Sequence, residues 1–134
     1  MAKDILVMES LSSSMIKAGL KLIERLDAEN AQVTSAFWFY IAEDKAWQLI
    51  IVSPLVALLG PREYYRKVVN ANNAALDEEE VISLHDITVA NTTHEIAQLF
   101  KYAISSGNGI PGTRFSRNTI NGSFIEDSYI YRSN

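Results

Sequence analysis

The residues whose types and spacing most invite a chemical reading lie near the C-terminus, on either side of Asn121-Gly122. That dipeptide is the strongest short signal for a two-residue hairpin turn, because both positions take positive φ at little cost. Counting outward from it pairs Ile120 with Ser123, Asn118 with Ile125, Arg117 with Glu126, Ser116 with Asp127 and Arg114 with Tyr129. Polar groups then fall on both faces, where an ordinary hairpin keeps one face mainly apolar. Arg117 opposite Glu126 reads as a cross-strand ion pair that settles register or blunts an exposed edge. The same residues also read as an anion-binding surface. Arg114, Arg117 and Asn118 supply donors, and Glu126 and Asp127 orient the two guanidinium groups. These five are the candidate ligand-binding residues.

Other constellations carry less. Glu43-Asp-Lys45 has the Glu-x-Lys spacing of metal-dependent nucleases, in which the carboxylate binds magnesium and the ammonium helps to activate water. In those enzymes the pair lies within a strand, whereas here it reads as a turn. Gly107-Asn-Gly109-Ile-Pro-Gly112 matches the dinucleotide fingerprint letter for letter, but that chemistry needs a strand before and a helix after it. The order here is the reverse, so the glycines read as a helix cap and a loop. His85-Asp86 falls in a predicted strand, where neighbours face opposite ways and cannot orient one another. His94 belongs to a helix first turn, and the serines at 10, 12, 13 and 14 form no Gly-x-Ser-x-Gly elbow. The run Asp77-Glu-Glu-Glu80 reads as a solvated loop, since adjacent carboxylates lack the spaced ligands of a calcium loop.

The elements that must position these residues follow from periodicity. Leu11, Met15, Ala18, Gly19, Leu22, Ile23 and Leu26 recur at three- and four-residue spacing and predict a first helix with serines at its start. Residues 33–42 and 46–53 read as two strands joined by the turn at 43–45. Val33, Phe37, Phe39 and Ile41 are assigned to one face, with Trp38 and Tyr40 on the other, so both faces of this strand require cover. Gly60-Pro61 opens a second helix with Tyr64, Tyr65, Val68 and Val69 as its apolar stripe. A third strand is expected over 81–89. Thr92-Thr-His-Glu95 is a capping box for a third helix carrying Ile96, Leu99, Phe100 and Ala103, with Gly107 as its left-handed cap. Strands at 113–120 and 124–131 complete the order αββαβαββ.

The chain has 134 residues, 48% hydrophobic and 21% charged, which suits one globular domain spanning 1–134 and excludes collagen-like and low-complexity classes. It has no cysteine, so disulfides, thiolate nucleophiles and cysteine-ligated metal sites are excluded. The formal charge of -4 disfavours broad phosphate binding, so a nucleic-acid partner is not expected. Charge is unevenly spread, however: residues 101–134 hold four basic and two acidic side chains. The apolar run at 5–8 is too short for a signal-peptide core or a membrane span, which makes a cytoplasmic location the expectation.

The segment Gly60-Pro-Arg-Glu-Tyr-Tyr-Arg66, together with residues 112–132, reading Gly-Thr-Arg-Phe-Ser-Arg-Asn-Thr-Ile-Asn-Gly-Ser-Phe-Ile-Glu-Asp-Ser-Tyr-Ile-Tyr-Arg, resembles a group of small bacterial proteins of unknown function. The similarity runs from the first helix to the end. It implies a bacterial single-domain protein and carries no activity or catalytic residue.

The expectation is an α+β domain with a mixed sheet of about five strands and three principal helices. Its function is expected to be that of a binding or protein-interaction module, with a small anionic ligand or a protein as partner and with no cofactor and no metal. The alternative is a small phosphate-ester hydrolase or nuclease-like enzyme using the C-terminal hairpin. Apolar cover demanded on both faces of the first strand adds the expectation of a homodimer.

Overall fold

A computed structural model describes residues 11–104 and 109–134. The elements are α1 (Ser13–Ala28), β1 (Ser35–Ile41), β2 (Ala46–Val52), α2 (Leu55–Leu59), α3 (Pro61–Asn73), a 3-10 turn (Leu84–Asp86), β3 (Ile87–Ala90), α4 (Glu95–Ala103), β4 (Thr113–Ile120) and β5 (Ser123–Ser133). The five strands form one mixed sheet in the order β3-β2-β1-β5-β4, with β2 and β3 parallel and the other pairs antiparallel. The fold is therefore α+β, with three principal helices and a short fourth among the described residues. Among the described residues no helix is long and apolar enough to cross a membrane.

Alternation along the central strands sends side chains to two separate cores. On one face Ala36 and Trp38 of β1, with Leu49 and Ile51 of β2, meet Leu22, Ile23 and Leu26 of α1 and Tyr64, Val68 and Ala71 of α3. On the other, Phe37, Ile50, Val52 and Ile130 meet Ala97 and Phe100 of α4. Each buried aliphatic side chain of this kind contributes roughly 1.5–3 kcal/mol. The aromatic surface behind the homodimer expectation is thus covered within the chain: α4 lies on the Phe37 face, and Phe37 and Phe100 pack edge to face at 4.9 Å. Val33 is the exception to its assigned face. It precedes β1, follows Gln32 with its φ of 54°, and joins the Trp38 core instead.

Local chemistry explains most boundaries. Ser12 caps α1, its hydroxyl accepting from the Met15 N–H at 3.1 Å. Pro61 sits in the first turn of α3, after Gly60 at a φ of 90°. Two expectations need correction. The third strand is only four residues long, because Leu84–Asp86 closes a 3-10 turn capped by Ser83, so His85 and Asp86 precede the strand. The cap of α4 is His94 rather than Thr92: its Nδ1 accepts from the Ala97 N–H at 3.4 Å. The proposed cap at Gly107 lies outside the described residues.

β5 is positioned by a bulge. Its register against β1 shifts between Ala36, opposite Arg132, and Phe37, opposite Ile130, which leaves Tyr131 as the additional residue. Both Tyr131 and Arg132 are thereby aimed at α1. The buried Tyr131 hydroxyl donates to the Ile16 carbonyl at 2.6 Å and accepts from Trp38 Nε1 at 2.9 Å. Burial pushes its pKa upward, so the donor is kept. Gly19 is required opposite it, since a Cβ there would collide with the phenol.

Candidate functional site

The hairpin forms in the expected register, and Asn121 and Gly122 both take positive φ, at 48° and 84°. One step departs from the ladder. Arg117 adopts a φ of 47°, and neither it nor Glu126 has a pairing partner there. Side-chain alternation breaks at the same point. Counting from Tyr129 would send Ile125 to the α1 face, yet Ile125 and Ile120 join the α4 core. The tip of the hairpin is twisted relative to its base.

This twist divides the five candidate residues into two groups. At the base, Arg114 is gripped by Asp127, with Nε to Oδ1 at 2.7 Å and Nη2 to Oδ2 at 2.5 Å. The contact is diagonal rather than directly opposite, Arg114 standing across from Tyr129. The guanidinium also lies 5.8 Å from the ring centroid of the buried Trp47, which packs against Tyr40 at 5.4 Å. The bonds from Asp127 push the Arg114 pKa further up and keep it charged. Asp127 Oδ1 also accepts from the Ser128 N–H, which fixes the carboxylate. Arg114 is therefore pre-positioned while 47% of its side chain remains exposed.

At the tip, Arg117, Asn118 and Glu126 are exposed, and the expected Arg117–Glu126 ion pair is not made among the described residues. Asn118 turns its Oδ1 back to the N–H of Thr119 at 2.8 Å. A left-handed kink and a side chain capping its neighbour's backbone both interrupt an edge strand, and β4 is the sheet's edge. Arg114 and Asp127 are thus brought together, whereas Arg117, Asn118 and Glu126 stand apart from them on the twisted tip.

Elsewhere the candidates are dispersed. Glu43, Asp44 and Lys45 occupy an exposed turn with Lys45 at a φ of 49°. The His94 ring lies against Phe37 at 6.2 Å, and burial lowers its pKa against a smaller opposing effect of Glu95. Among the described residues no three His, Cys, Asp or Glu side chains are grouped as a metal would require. The acidic run is partly structural. Glu79 accepts from the Leu76 N–H at 2.8 Å and from Arg25 at 3.0 Å, with Lys21 at 3.9 Å. The backbone bond first, and then the two cations, hold its carboxyl below the ordinary range. A groove of about 470 Å³ is lined by Lys17 and Lys21 of α1 and by Leu76, Glu78, Glu79 and Glu80 of this turn.

Sequence reasoning also missed the pair between Arg132 and Asp27. Arg132, nearly buried, grips Asp27 of α1 through Nη1 and Nη2 at 2.9 and 2.7 Å and donates also to the carbonyls of Val33 and Gly109. The available signal was an arginine directly after Ile130-Tyr131 in a strand otherwise becoming apolar, which demands a buried partner. Compared with protein-family models, curated proteins and solved structures, the chain has no significant match in any of the three.

Proposed function

We propose that this protein is a binding module that recognises a protein partner through the base of its C-terminal hairpin, with Arg114 as the central contact. The observation that carries this reading is the state of Arg114: half exposed, charged, and immobilised by Asp127 and Trp47 before any partner arrives. Arginine, tryptophan and tyrosine are the residues that dominate interface energetics, and a pre-ordered side chain gives up little conformational entropy on binding. Solvent-exposed ion pairs contribute only about 0–1 kcal/mol to folding, so fold stability is a weak reason for the arrangement.

A second copy of the chain is one such partner. Because α4 occupies the Phe37 face, a homodimer would use another surface, and the hairpin base offers Arg114 over Trp47. A cytoplasmic setting remains part of this proposal.

Quantitative crosslinked capture with tagged wild type and with Arg114→Ala tests the reading. Partners enriched by the wild type and lost by the variant, at unchanged melting temperature, are expected. Identical partner sets would refute it. Turnover of p-nitrophenyl phosphate by the wild type that disappears in Arg114→Ala would place the hairpin in a hydrolase instead.

A further inference from the structure

We infer that the outer edge of β3 is a strand-pairing surface for a second copy of this chain, held closed by the hydroxyl of Tyr65. It lies at the opposite edge of the sheet from the hairpin and does not rest on the reading above.

The composition of β3 makes its edge prone to pairing. Ile87-Thr-Val-Ala90 is rich in β-branched residues and holds neither a charge nor a proline, and its register against β2 runs without a bulge. Charges, prolines and bulges are the means by which edge strands resist adding another chain. The other edge strand, β4, carries Arg114 and Arg117 and the left-handed kink at Arg117. At β3 a side chain of α3 takes their place.

Backbone alternation decides which groups of β3 face outward. The Ala90 carbonyl accepts from the N–H of Ser53, the residue after β2, at 3.0 Å, so Ala90 is turned toward β2. Successive residues of a strand direct their N–H and C=O to opposite sides, which turns Val89 and Ile87 away from β2. Tyr65 meets one group of each. Its hydroxyl donates to the Ile87 carbonyl at 3.1 Å and accepts from the Val89 N–H at 3.4 Å. The second bond is long, so the seal is weakest at Val89.

The same two groups are what a second copy would use. With a two-fold axis at Thr88, Ile87 of each copy stands opposite Val89 of the other, and an antiparallel pair of that kind exchanges both of its N–H to C=O bonds. The Tyr65 hydroxyl stands in for the partner's donor at Ile87 and for the partner's acceptor at Val89. The edge is therefore its own complement. Such an arrangement is isologous, closes at two copies and joins two five-stranded sheets into one.

The test compares the wild type with Tyr65→Phe, which keeps the ring and removes both bonds, by sedimentation velocity and amide hydrogen exchange on the full chain. In the wild type the Val89 amide should be protected although it faces outward at an edge. Tyr65→Phe should dimerise at least about tenfold more tightly than the wild type, with Val89 protection that rises with protein concentration. Adding Thr88→Lys should abolish that gain, because two ammonium groups would meet at the axis, and mixing this variant with Tyr65→Phe/Thr88→Glu should restore it. Adding Arg114→Ala to Tyr65→Phe should leave the gain intact, which separates it from association through the hairpin. An unprotected Val89 amide in the wild type would overturn the inference whatever the variants do. So would a Tyr65→Phe variant that sediments as the wild type does at every concentration, or a dimer that survives Thr88→Lys or grows beyond two copies.

Discussion

The two halves of β5 each hold an arginine–aspartate pair of the same chemistry in different surroundings. At the outer half, Asp127 receives Arg114 with 47% of the arginine side chain exposed; at the inner half, Arg132 reaches Asp27 with 6% exposed. Both pairs are two-pronged and close to 2.7 Å. Burial separates their consequences. A guanidinium out of water cannot lose its carboxylate without becoming an uncompensated buried charge, whereas an exposed one is rehydrated. The inner pair therefore ties α1 to the sheet, and the outer pair is free to serve recognition.

The largest expected effect follows from breaking the inner pair. Asp27→Ala should lower the unfolding free energy by about 3 kcal/mol in urea titrations, with Asp27→Asn losing less because one acceptor oxygen remains. A loss below ~1 kcal/mol would erase the distinction between the two halves. Next comes the hydroxyl beside it. Tyr131→Phe removes one donor and strands the buried Trp38 Nε1, at a cost of about 1–3 kcal/mol, measurable in the same titration.

The amount visible in the sequence follows the same division. The hairpin register was readable from Asn121-Gly122 because two-residue turns fix pairing locally. The helical stripes of α1 and α3 were readable because burial imposes their period. The Tyr131 bulge and the Arg117 kink were not, since each depends on contacts far apart in the chain: α1 against β5, and the α4 core drawing Ile120 and Ile125 across. The third strand was expected but begins six residues later than 81, because the Ser83 hydroxyl accepts from the His85 N–H and favours a turn before it. Of the candidate site, only the Arg114–Asp127 grip emerged as a joined unit, and its diagonal geometry and support from Trp47 belong to the tertiary structure.

A smaller effect sharpens the contrast through pH. The folded-state pKa of His94 is lowered, so the fold favours its neutral form, whose Nδ1 accepts from the Ala97 N–H. Its contribution is complete above the unfolded value, roughly 6.5, and is lost as pH falls through the lower folded value. Thermal melts between pH 8 and pH 5, taken as rough limits around that value, should show the loss, and His94→Gln should flatten that part of the profile. A profile unchanged by this substitution would remove His94 from the cap. Smallest of all, Arg117→Ala and Glu126→Ala should each change stability by no more than about 0.5 kcal/mol, as expected of exposed tip residues that are not joined. A larger change in calorimetry would restore an ion pair between them.

The most direct measurement is a pair of double-mutant cycles by urea unfolding, one on Arg114 with Asp127 and one on Arg132 with Asp27, each partner replaced by alanine singly and together. The account predicts a coupling of about 1 kcal/mol or less for the outer pair and about 3 kcal/mol for the inner one. Equal couplings, or a stronger outer pair, would make Arg114 part of the fold's own scaffolding and contradict its assignment to recognition.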